Sequence, residues 1–419
     1  MNTTTTFSDN LFSKDLNKEM PNEFTSKLSH DKNAIIHAQK IIYGWKVKLI
    51  ILKLRISVLW IAISNYRNPI IGVKFLLHVI NLRRATKGKV IKKMVKANEK
   101  YYMGPYVPGW NGKAFKSFIL SEMNNFNSLD KPVNRFNNVF LAITKKCILQ
   151  CEHCFEWDVL NKKDVLTVQK IKEMVVALQK KGVNQIYLTG GEPMLKLNTM
   201  IDVIKTYKEA TDFWILTSGY NFNLKNAEKL KKAGLNGVII SLDHFNPIEH
   251  NKFRGNENAF KWVVEAVNSA LENNIIVALS ICITRSFATA ENLLAYMNLA
   301  KSLKVSFVQF LEPKPVGNYF GKDVSLLPAH EAVLESTFLK MNRNKSFKNY
   351  PLIIYHGFYQ RRLGCFNGGL TGLYIDTDGD INACPFCRIK NGSILNDDFD
   401  NSLTNLAKKG CPEYTIAHY

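Results

Sequence analysis

From residue 138 onward the chain alternates short apolar runs with longer amphipathic segments. Six runs have the length and the β-branched content of buried strands, and they lie at 138–144, 185–189, 212–218, 237–243, 275–284 and 305–313. Segments with helical spacing of apolar residues lie between them, at 167–181, 223–233, 259–273 and 288–303. This alternation predicts an α/β fold with parallel strands joined by helices. Six strands are too few for a closed eight-stranded barrel.

The segment from 33 to 98 has a different pattern, in which apolar runs are interrupted by single basic residues. It contains fourteen Lys or Arg and no Asp or Glu, within a chain of net charge +21. Its longest uncharged stretch, 56–66, is too short to cross a bilayer, which takes about 20 apolar residues. Helices of this kind lie in the plane of an anionic membrane surface, so we expect a membrane surface as a partner. The alternative is a helical layer packed on the neighbouring domain with a solvated basic face.

Length and composition indicate a folded chain of several domains. The chain has 419 residues, of which 46% are hydrophobic. We expect a disordered polar segment at 1–30, a basic amphipathic helical region at 31–130, a core domain at 135–345 and a small domain at 355–419. No known nucleic-acid-binding module is visible, so no nucleic-acid partner is expected. The polar N-terminus lacks the pattern of a signal peptide, which predicts a cytoplasmic protein, with attachment at the inner membrane face as the alternative.

Three of the eight cysteines lie together directly after the first predicted strand. Cys147, Cys151 and Cys154 have the spacing C-x3-C-x2-C. In a reducing compartment, clustered thiols bind metal or catalyse more often than they form disulfides. Four thiolates close a metal site, whereas three leave one position open. The spacing therefore predicts a [4Fe-4S] cluster whose fourth iron takes a ligand from outside the protein.

A second motif follows the second predicted strand. Gly190 and Gly191 allow the backbone to approach a ligand without a Cβ, and the Glu192 carboxylate can accept hydrogen bonds from an ammonium group. Pro193 completes the sequence Gly-Gly-Glu-Pro. The alternative is an ordinary turn between a strand and a helix.

Together the two motifs resemble those of the radical S-adenosylmethionine (SAM) superfamily, and the resemblance covers about residues 138–419. It implies a partial (β/α)6 TIM-like barrel in which the amino and carboxylate groups of SAM bind the open iron and the Gly-Gly-Glu-Pro motif binds the methionine amine. One electron then cleaves SAM to methionine and a 5′-deoxyadenosyl radical, which abstracts hydrogen from a substrate. An electron donor of the flavodoxin or ferredoxin type is implied as well.

The same resemblance implies further SAM-binding residues. His153 precedes the third cysteine, at a position that is often aromatic in the family and lies near adenine. Ser241 and Asp243 follow the fourth predicted strand and would face the ribose or the substrate; Thr284 and Arg285 follow the fifth and would contact ribose and carboxylate. The plainer alternatives are strand-edge residues for the first pair and a solvated side chain for Arg285.

The remaining chemistry lies in the C-terminal cysteines. Cys365, Gly379 and Cys384 fit the opening pattern of SPASM and twitch domains, which are auxiliary-cluster extensions of this superfamily. The intervening segment is predicted to form a hairpin whose Asp-Gly turn brings the two cysteines together. Full SPASM domains have seven cysteines. The resemblance here implies one auxiliary [4Fe-4S] cluster, with Cys365, Cys384 and Cys387 as ligands and Cys411 as the fourth. A zinc site built from the same thiolates is the alternative.

The expected function is that of a radical SAM enzyme of the oxidoreductase or transferase type. SPASM relatives often modify ribosomally made peptides, whereas the basic N-terminal region favours a substrate held at a membrane. The predicted substrate is therefore a peptide or a membrane-associated lipid-like molecule. The alternative is a non-catalytic iron-sulfur or zinc protein for electron transfer or interaction at the membrane surface. The Gly-Gly-Glu-Pro motif argues against it, because electron transfer needs no group that binds methionine.

Overall fold

The computed structural model describes residues 39–87, 92–129, 136–365, 367–396 and 398–409, together with positions 411 and 413. The segment expected to be disordered, 1–30, lies outside the described residues. The N-terminal part contains three strands, β1 (Lys40–Tyr43), β2 (Lys93–Ala97) and β3 (Lys100–Tyr102). It also contains three helices, α1 (Trp45–Tyr66), α2 (Pro69–Lys87) and α3 (Lys113–Phe126).

Helices α1 and α2 form a hairpin. Helix α1 ends at Arg67, which adopts the left-handed conformation with φ of 51°. The Asn68 side chain then accepts hydrogen bonds from the amides of Ile70 and Ile71 and so caps the start of α2. Gly72 allows the two helices to cross closely, because a Cβ there would lie 2.8 Å from the Ile63 side chain. Among the described helices, none combines the length and the apolarity required to span a bilayer.

A nine-stranded sheet forms the centre of the molecule, in the order β10-β9-β8-β7-β6-β5-β4-β11-β12. Its strands are β4 (Asn138–Ala142), β5 (Gln185–Thr189), β6 (Asp212–Thr217), β7 (Gly237–Ser241), β8 (Ile276–Cys282), β9 (Phe307–Leu311), β10 (Leu352–Tyr355), β11 (Gly372–Ile375) and β12 (Ile381–Asn382). Strands β4 to β11 are paired in parallel, and β12 pairs antiparallel with β11.

Helices connect these strands and cover the outer side of the sheet. They are α4 (Val168–Lys180), α5 (Leu197–Tyr207), α6 (Leu224–Ala233), α7 (Pro247–Arg254), α8 (Ala259–Glu272), α9 (Ala290–Ser302), α10 (Pro328–Arg343), α11 (His356–Leu363) and α12 (Phe399–Lys409). The predicted fold class is confirmed: the mostly parallel sheet is consistent with a partial TIM-like barrel. All six predicted strands and the four predicted helices are present. Strands β11 and β12 correspond to the hairpin predicted between Cys365 and Cys384, whereas β10 and the other helices of this region were not predicted.

The inner side of the sheet is filled by aromatic residues and by the N-terminal part of the chain. Tyr187, Trp214 and Phe307 belong to one apolar cluster with Tyr102 of β3. The Tyr106 hydroxyl donates a hydrogen bond of 2.7 Å to Gln309 of β9. These contacts lie mainly in the amino-terminal half of the strands, so the segment after β2 closes that end of the barrel. The carboxyl ends of the strands are left to form the site.

Lys93 of β2 is buried within this packing. Its Nζ donates a hydrogen bond of 3.1 Å to the carbonyl of Tyr350, and its side chain has no exposed surface. Burial lowers the pKa of Lys93 from 10.5 to about 7. The folded protein therefore releases this proton near neutral pH, whereas the unfolded chain keeps it to much higher pH.

This difference predicts a pH dependence of stability. Between pH 7 and 10.5 the unfolded state binds more protons at Lys93 than the folded state, so the free energy of unfolding should rise with pH. The contribution is up to about 1.4 kcal/mol per pH unit. Chemical denaturation of the Lys93→Met variant across this range should show a slope lower by this amount. The neighbouring exposed Lys92→Met is the control and should keep the wild-type slope. Equal slopes in all three proteins would contradict the assignment.

Candidate functional site

The three clustered cysteines lie on the loop that follows β4, at the carboxyl end of the sheet. Cys151 is buried, while Cys147 and Cys154 are half-buried, and all three are free thiols. Burial raises the pKa of Cys147 and of Cys154 to about 12, and each of these thiols also responds to the charge of the others. The structure therefore brings the three predicted sulfurs into one electrostatic neighbourhood. Binding to a metal would hold them as thiolates against this burial.

Hydrogen bonds from three directions fix the cysteine loop. The Asn161 side chain accepts from the amide of Cys147 at 3.0 Å. The amides of Gln150 and Glu152 donate to the carbonyls of Arg254 and Phe253, at 3.2 Å and 2.9 Å. On the third side, the Asn318 amide donates to the carbonyl of Cys154 at 2.9 Å. The loop is thus held by segments after β4, β7 and β9, and its sulfurs have fixed places.

Gly190 and Gly191 pack directly against the backbone that leads into Cys147. The amide of Gly191 donates to the carbonyl of Thr144 at 2.8 Å. A Cβ on Gly190 would lie 2.4 Å from that carbonyl, and a Cβ on Gly191 would lie 2.3 Å from the carbonyl of Lys146. Side chains would therefore separate the two loops. The motif requires glycine because the backbones of neighbouring strand ends touch.

The Glu192 carboxylate is buried and already accepts four hydrogen bonds. Its Oε1 accepts from the Met194 amide at 3.0 Å and the Thr217 hydroxyl at 2.6 Å; its Oε2 accepts from the amide and the hydroxyl of Ser218, at 2.9 Å and 2.6 Å. Burial raises the pKa of Glu192, although these donors oppose the rise. An ammonium group could bind the carboxylate only where one of the donors gives way. Pro193 is buried and begins the short 3-10 turn that follows.

Asp243 forms a buried ion pair with Arg254, a residue that sequence reasoning missed. Arg254 donates to Asp243 from Nε at 2.6 Å and approaches the same oxygen with Nη2 at 2.5 Å. Burial alone would raise the pKa of Asp243, but Arg254 outweighs it and holds that pKa below the ordinary value. The third nitrogen, Nη1, lies 3.5 Å from the sulfur of Cys151. The sequence carried no clear signal for this pair, because a buried carboxylate takes either a cation or neutral donors and the fold decides which.

His153 lies beside this ion pair and provides a flat aromatic surface. Its ring stacks on Phe253, with centroids 4.9 Å apart and planes 25° from parallel. Burial lowers the pKa of His153 to about 4, so the imidazole is neutral near pH 7. Within the described ranges its buried Nδ1 has no hydrogen-bond partner. A buried polar atom of this kind fits a ligand that supplies the missing donor or acceptor.

The other predicted SAM-binding residues have less distinctive surroundings. Ser241 is half-buried at the end of β7 and pairs in register with Ser280 of β8. The Thr284 hydroxyl lies 3.0 Å from the Ser286 hydroxyl. Arg285 pairs with Asp323, and its Nη1 donates at 3.0 Å. Arg285 is therefore directed to the segment after β9, and it would have to leave this pair in order to contact a carboxylate of a ligand.

The four C-terminal cysteines also come together. Cys387 lies beside both Cys384 and Cys411, and its thiol lowers the pKa of Cys384 below the ordinary value. Gly368 lies between the others, since a Cβ there would be 3.4 Å from both the sulfur of Cys365 and the Cβ of Cys411. The predicted hairpin is present as β11 and β12. After β12 the chain turns again, and an isolated antiparallel bridge joins Cys384 and Cys387.

Aromatic and charged contacts connect the two groups of cysteines. Phe155, which follows Cys154, packs edge-on against Phe386 and Tyr374, with centroids 6.2 Å and 5.9 Å away. Arg388 donates from Nη1 to the carbonyl of Phe155 at 2.5 Å, and its Nη2 lies 3.5 Å from the buried carboxylate of Glu156. The backbone next to Cys154 and the backbone next to Cys387 are therefore held together. Sequence spacing gave no sign of this link.

The donor set at both groups suits a soft metal. Thiolates favour zinc and iron-sulfur clusters, whereas Ca²⁺ and Mg²⁺ prefer hard oxygen ligands. Over the described residues, no three His, Cys, Asp or Glu side chains are gathered tightly enough to enclose a single ion. A [4Fe-4S] cube makes a different demand, because each thiolate binds a separate iron.

The amino-acid sequence of this chain is similar to those of several known proteins. Residues 141–293 match the sequence profile described as the Radical SAM superfamily. The GTP 3′,8-cyclase of Syntrophomonas wolfei subsp. wolfei is 27% identical over 290 residues, which cover 63% of this chain and 88% of that protein. The GTP 3′,8-cyclase of Aquifex aeolicus is 29% identical over 230 residues, 54% of this chain and 69% of that protein.

Solved structures with a similar fold include two proteins at low sequence identity. SuiB of Streptococcus suis, bound to the precursor peptide SuiA, has a TM-score of 0.54 at 13% identity, covering 66% of this chain and 67% of that chain. The protein anSMEcpe with bound AdoMet has a TM-score of 0.52 at 20% identity, covering 67% and 84%. At these identities the likeness is one of fold.

The contact at Gly190 predicts an effect of substitution. Gly190 and Gly321 both have positive φ, 140° and 74°, but a Cβ on Gly321 meets nothing within 4 Å. Gly321→Ala should cost about 1 to 2 kcal/mol of unfolding free energy through backbone strain alone. Gly190→Ala should cost more than about 3 kcal/mol and reduce iron uptake on anaerobic reconstitution, because it also separates the loops. Denaturation and iron analysis of both variants measure this. Similar costs would show that the contact is unimportant.

Proposed function

Residues 141–293 form a radical SAM domain, and we propose that the protein is a radical SAM enzyme that abstracts hydrogen from a peptide substrate at a membrane surface. The radical SAM fold binds a [4Fe-4S] cluster and SAM. When bound, they supply a reductive cleavage of SAM that yields a hydrogen-abstracting radical. The single observation that carries the proposal is the convergence of Cys147, Cys151 and Cys154 at the carboxyl end of β4, against Gly190 and Gly191.

We assign the ligands of the catalytic cluster to Cys147, Cys151 and Cys154. The support is the set of hydrogen bonds that hold the loop, together with the effect of the Cys151 charge on the pKa of both Cys147 and Cys154. The SAM-binding surface is assigned to Gly190, Gly191, Glu192 and Pro193 on one side and to His153, Ser241, Asp243, Thr284 and Arg285 on the other. Within this set, His153 offers a stacked, neutral ring, and Glu192 contributes negative charge close to Cys147.

The chain also has residues that would keep water from the reacting groups. Tyr319, after β9, donates from its hydroxyl to Glu152 at 2.8 Å and so covers the cysteine loop. Phe155 is enclosed by Phe386 and Tyr374 on the side of the C-terminal cysteines. A reactive radical requires such exclusion of water, because a solvent-exposed site would permit side reactions.

We propose that the C-terminal cysteines hold an auxiliary [4Fe-4S] cluster. Cys365, Cys384, Cys387 and Cys411 supply four thiols, which close a site rather than leave a position open. The proximity of Cys411 to Cys387 and Cys365 supports it as the fourth ligand. The Arg388 and Phe155 contacts would fix this cluster relative to the catalytic one.

A peptide is the substrate class we favour over a lipid. SuiB and anSMEcpe, which share the fold, have been solved with bound peptides. The second candidate is a nucleotide, because the curated relatives at 27% and 29% identity are GTP 3′,8-cyclases. Incubation with GTP separates the two: a GTP-derived product formed only with SAM and reductant would replace the peptide proposal.

We propose peripheral membrane attachment through the hairpin of α1 and α2. Large apolar side chains at helical spacing are exposed on both helices, namely Trp45, Leu49, Leu52, Ile56 and Trp60 on α1 and Ile70, Val73 and Leu77 on α2. Val47, Leu54 and Val58 are buried on the other side of α1, so packing within the protein already uses that side. Basic residues flank the exposed stripe, and their charge suits anionic lipid headgroups.

The radical chemistry is tested by loss of the catalytic thiols. Anaerobically reconstituted protein, incubated with SAM and dithionite, should form 5′-deoxyadenosine, and Cys147→Ala should reduce it to the background without reductant. Cys282→Ala removes a buried thiol that belongs to neither group and should retain the activity. Equal product from wild type and Cys147→Ala would remove the proposal.

Metal analysis tests the auxiliary centre. Two four-iron clusters predict that Cys384→Ala loses about half of the bound iron, whereas Cys282→Ala loses none. Zinc in the wild-type protein that disappears in Cys384→Ala would identify the C-terminal centre as a zinc site instead.

Liposome flotation tests the membrane surface. The variant Trp45→Ser, Leu52→Ser, Trp60→Ser should bind phosphatidylglycerol vesicles at least about tenfold more weakly, since each buried apolar side chain contributes about 1.5 kcal/mol or more. The control Val165→Ser, Leu224→Ser, Leu327→Ser alters three apolar residues of similar exposure elsewhere. It should bind as wild type does, and binding should weaken with salt. Equal flotation of the two variants would assign the stripe to another role.

A further inference from the structure

We infer that Arg254 tunes the reduction potential of the catalytic cluster by donating a hydrogen bond to the sulfur of Cys151, and that Asp243 holds Arg254 in place for this purpose. The inference rests on the proposed function, since it requires Cys151 to be a cluster ligand. Arg254 would then act on the cluster through the sulfur of Cys151, and it is a positioning residue rather than a catalytic one.

The guanidinium of Arg254 is divided between two partners. Its Nε and Nη2 face the Oδ2 of Asp243, at 2.6 Å and 2.5 Å. Its Nη1 is left for Cys151, with 3.5 Å between nitrogen and sulfur. A planar fork of fixed donors permits this division, which the single ammonium of a lysine could not reproduce in the same geometry.

The backbone fixes the guanidinium and the sulfur relative to each other. Arg254 is the last residue of α7, and Gly255 ends the helix with φ of 66°. The carbonyls of Phe253 and Arg254 accept from the amides of Glu152 and Gln150, which lie on either side of Cys151. A Cβ on Gly255 would lie 2.9 Å from the carbonyl of Gln150. The end of α7 and the cysteine loop therefore form one rigid unit.

Asp243 is itself fixed on more than one side. Its Oδ1 accepts from the amide of Cys282 at 3.0 Å, and its own amide donates to Nδ1 of His250 at 3.1 Å. Both Asp243 and Arg254 are buried. Because the carboxylate offsets the charge of the guanidinium at longer range, the effect on the cluster comes mainly from the direct N–H···S contact.

The direction of the effect follows from the charge of the sulfur. Reduction adds an electron to the cluster and increases the negative charge on its thiolates. A charged donor at Cys151 stabilises that reduced state more than the oxidised state, especially in a buried site of low dielectric constant. Arg254 therefore raises the midpoint potential and makes the cluster easier to reduce.

The test is a redox titration followed by electron paramagnetic resonance. A single loss of Arg254 would leave Asp243 buried without its partner, so the double variant Arg254→Gln, Asp243→Asn replaces the ion pair by a neutral pair of similar shape. In the titration, the cluster signal that changes on addition of SAM identifies the cluster with the open iron. Because Asp243 also belongs to the assigned SAM-binding surface, this identification is made in the wild type and all potentials are titrated without SAM. The double variant should then show the same cluster with a midpoint potential shifted to more negative values.

Two further variants make the outcome decisive. Arg254→Lys keeps the positive charge but lacks the fork, and it should show a smaller shift in the same direction. The control Lys172→Gln, Asp202→Asn neutralises an ion pair between α4 and α5, where the charged atoms are 2.7 Å apart, and it should keep the wild-type potential. If the double variant binds no cluster, Arg254→Lys carries the test alone.

Each failure has a distinct cause. An unchanged potential in the double variant, or in Arg254→Lys where the double variant binds no cluster, overturns the role of Arg254. A SAM-responsive signal that survives in Cys151→Ala overturns the proposed ligand set instead. A purely structural role of Arg254 would lower the amount of cluster but leave its potential where it is in the wild type.

Discussion

The site depends on one close contact between two strand ends, where Gly190 and Gly191 touch the backbone from Thr144 to Lys146. The amides of Gly191 and Glu192 each donate a bond of 2.8 Å across this contact, to the carbonyls of Thr144 and Lys146. Because no Cβ separates them, the loop after β4 and the loop after β5 form one rigid unit. Cys147 follows directly after the contacting backbone. Glu192 links this unit to the end of β6, because its carboxylate accepts hydrogen bonds from the hydroxyls of Thr217 and Ser218. Three neighbouring strand ends are thereby aligned before any ligand arrives.

The site also contains two buried carboxylates, Glu192 and Asp243. Carboxylates are costly inside a protein unless donors surround them, and the chain meets this need in different ways. Glu192 is bound by neutral hydroxyls and amides, so burial still raises its pKa. Asp243 is paired with Arg254, and its pKa is lowered. The two carboxylates therefore differ in character although both follow a strand of the same sheet. Glu192 links neutral donors from neighbouring loops, whereas Asp243 forms an ion pair with Arg254, which contacts the sulfur of Cys151.

The sequence predicted the parts of the molecule that depend on local pattern. The six strands from β4 to β9 are continuous apolar runs, and their alternation with helices is visible without any tertiary information. Strand β10 has four residues, and a run so short cannot be assigned by periodicity, whereas β11, equally short, was predicted only through the Asp-Gly turn of its hairpin. The insertion of Tyr102 and Tyr106 into the barrel depends on contacts far along the chain, so the region 31–130 was predicted only as helical. Arg254 and Asp323 escaped prediction for the same reason, because their partners are set by the fold.

The closure of the barrel by its own N-terminal segment limits how the protein can be taken apart. Tyr106 reaches Gln309, and Pro105 accepts hydrogen bonds from Gln185 and Tyr187. The basic hairpin ends at Lys87, 18 residues before Pro105, and β2 and β3 lie between them, so the hairpin belongs to the same packed region. Truncation of the whole region would uncover the aromatic interior and unfold the enzyme. Evolution could thus alter the exposed face of the hairpin by point changes, but exchange of the entire segment would require another segment to fill the amino-terminal end of the barrel.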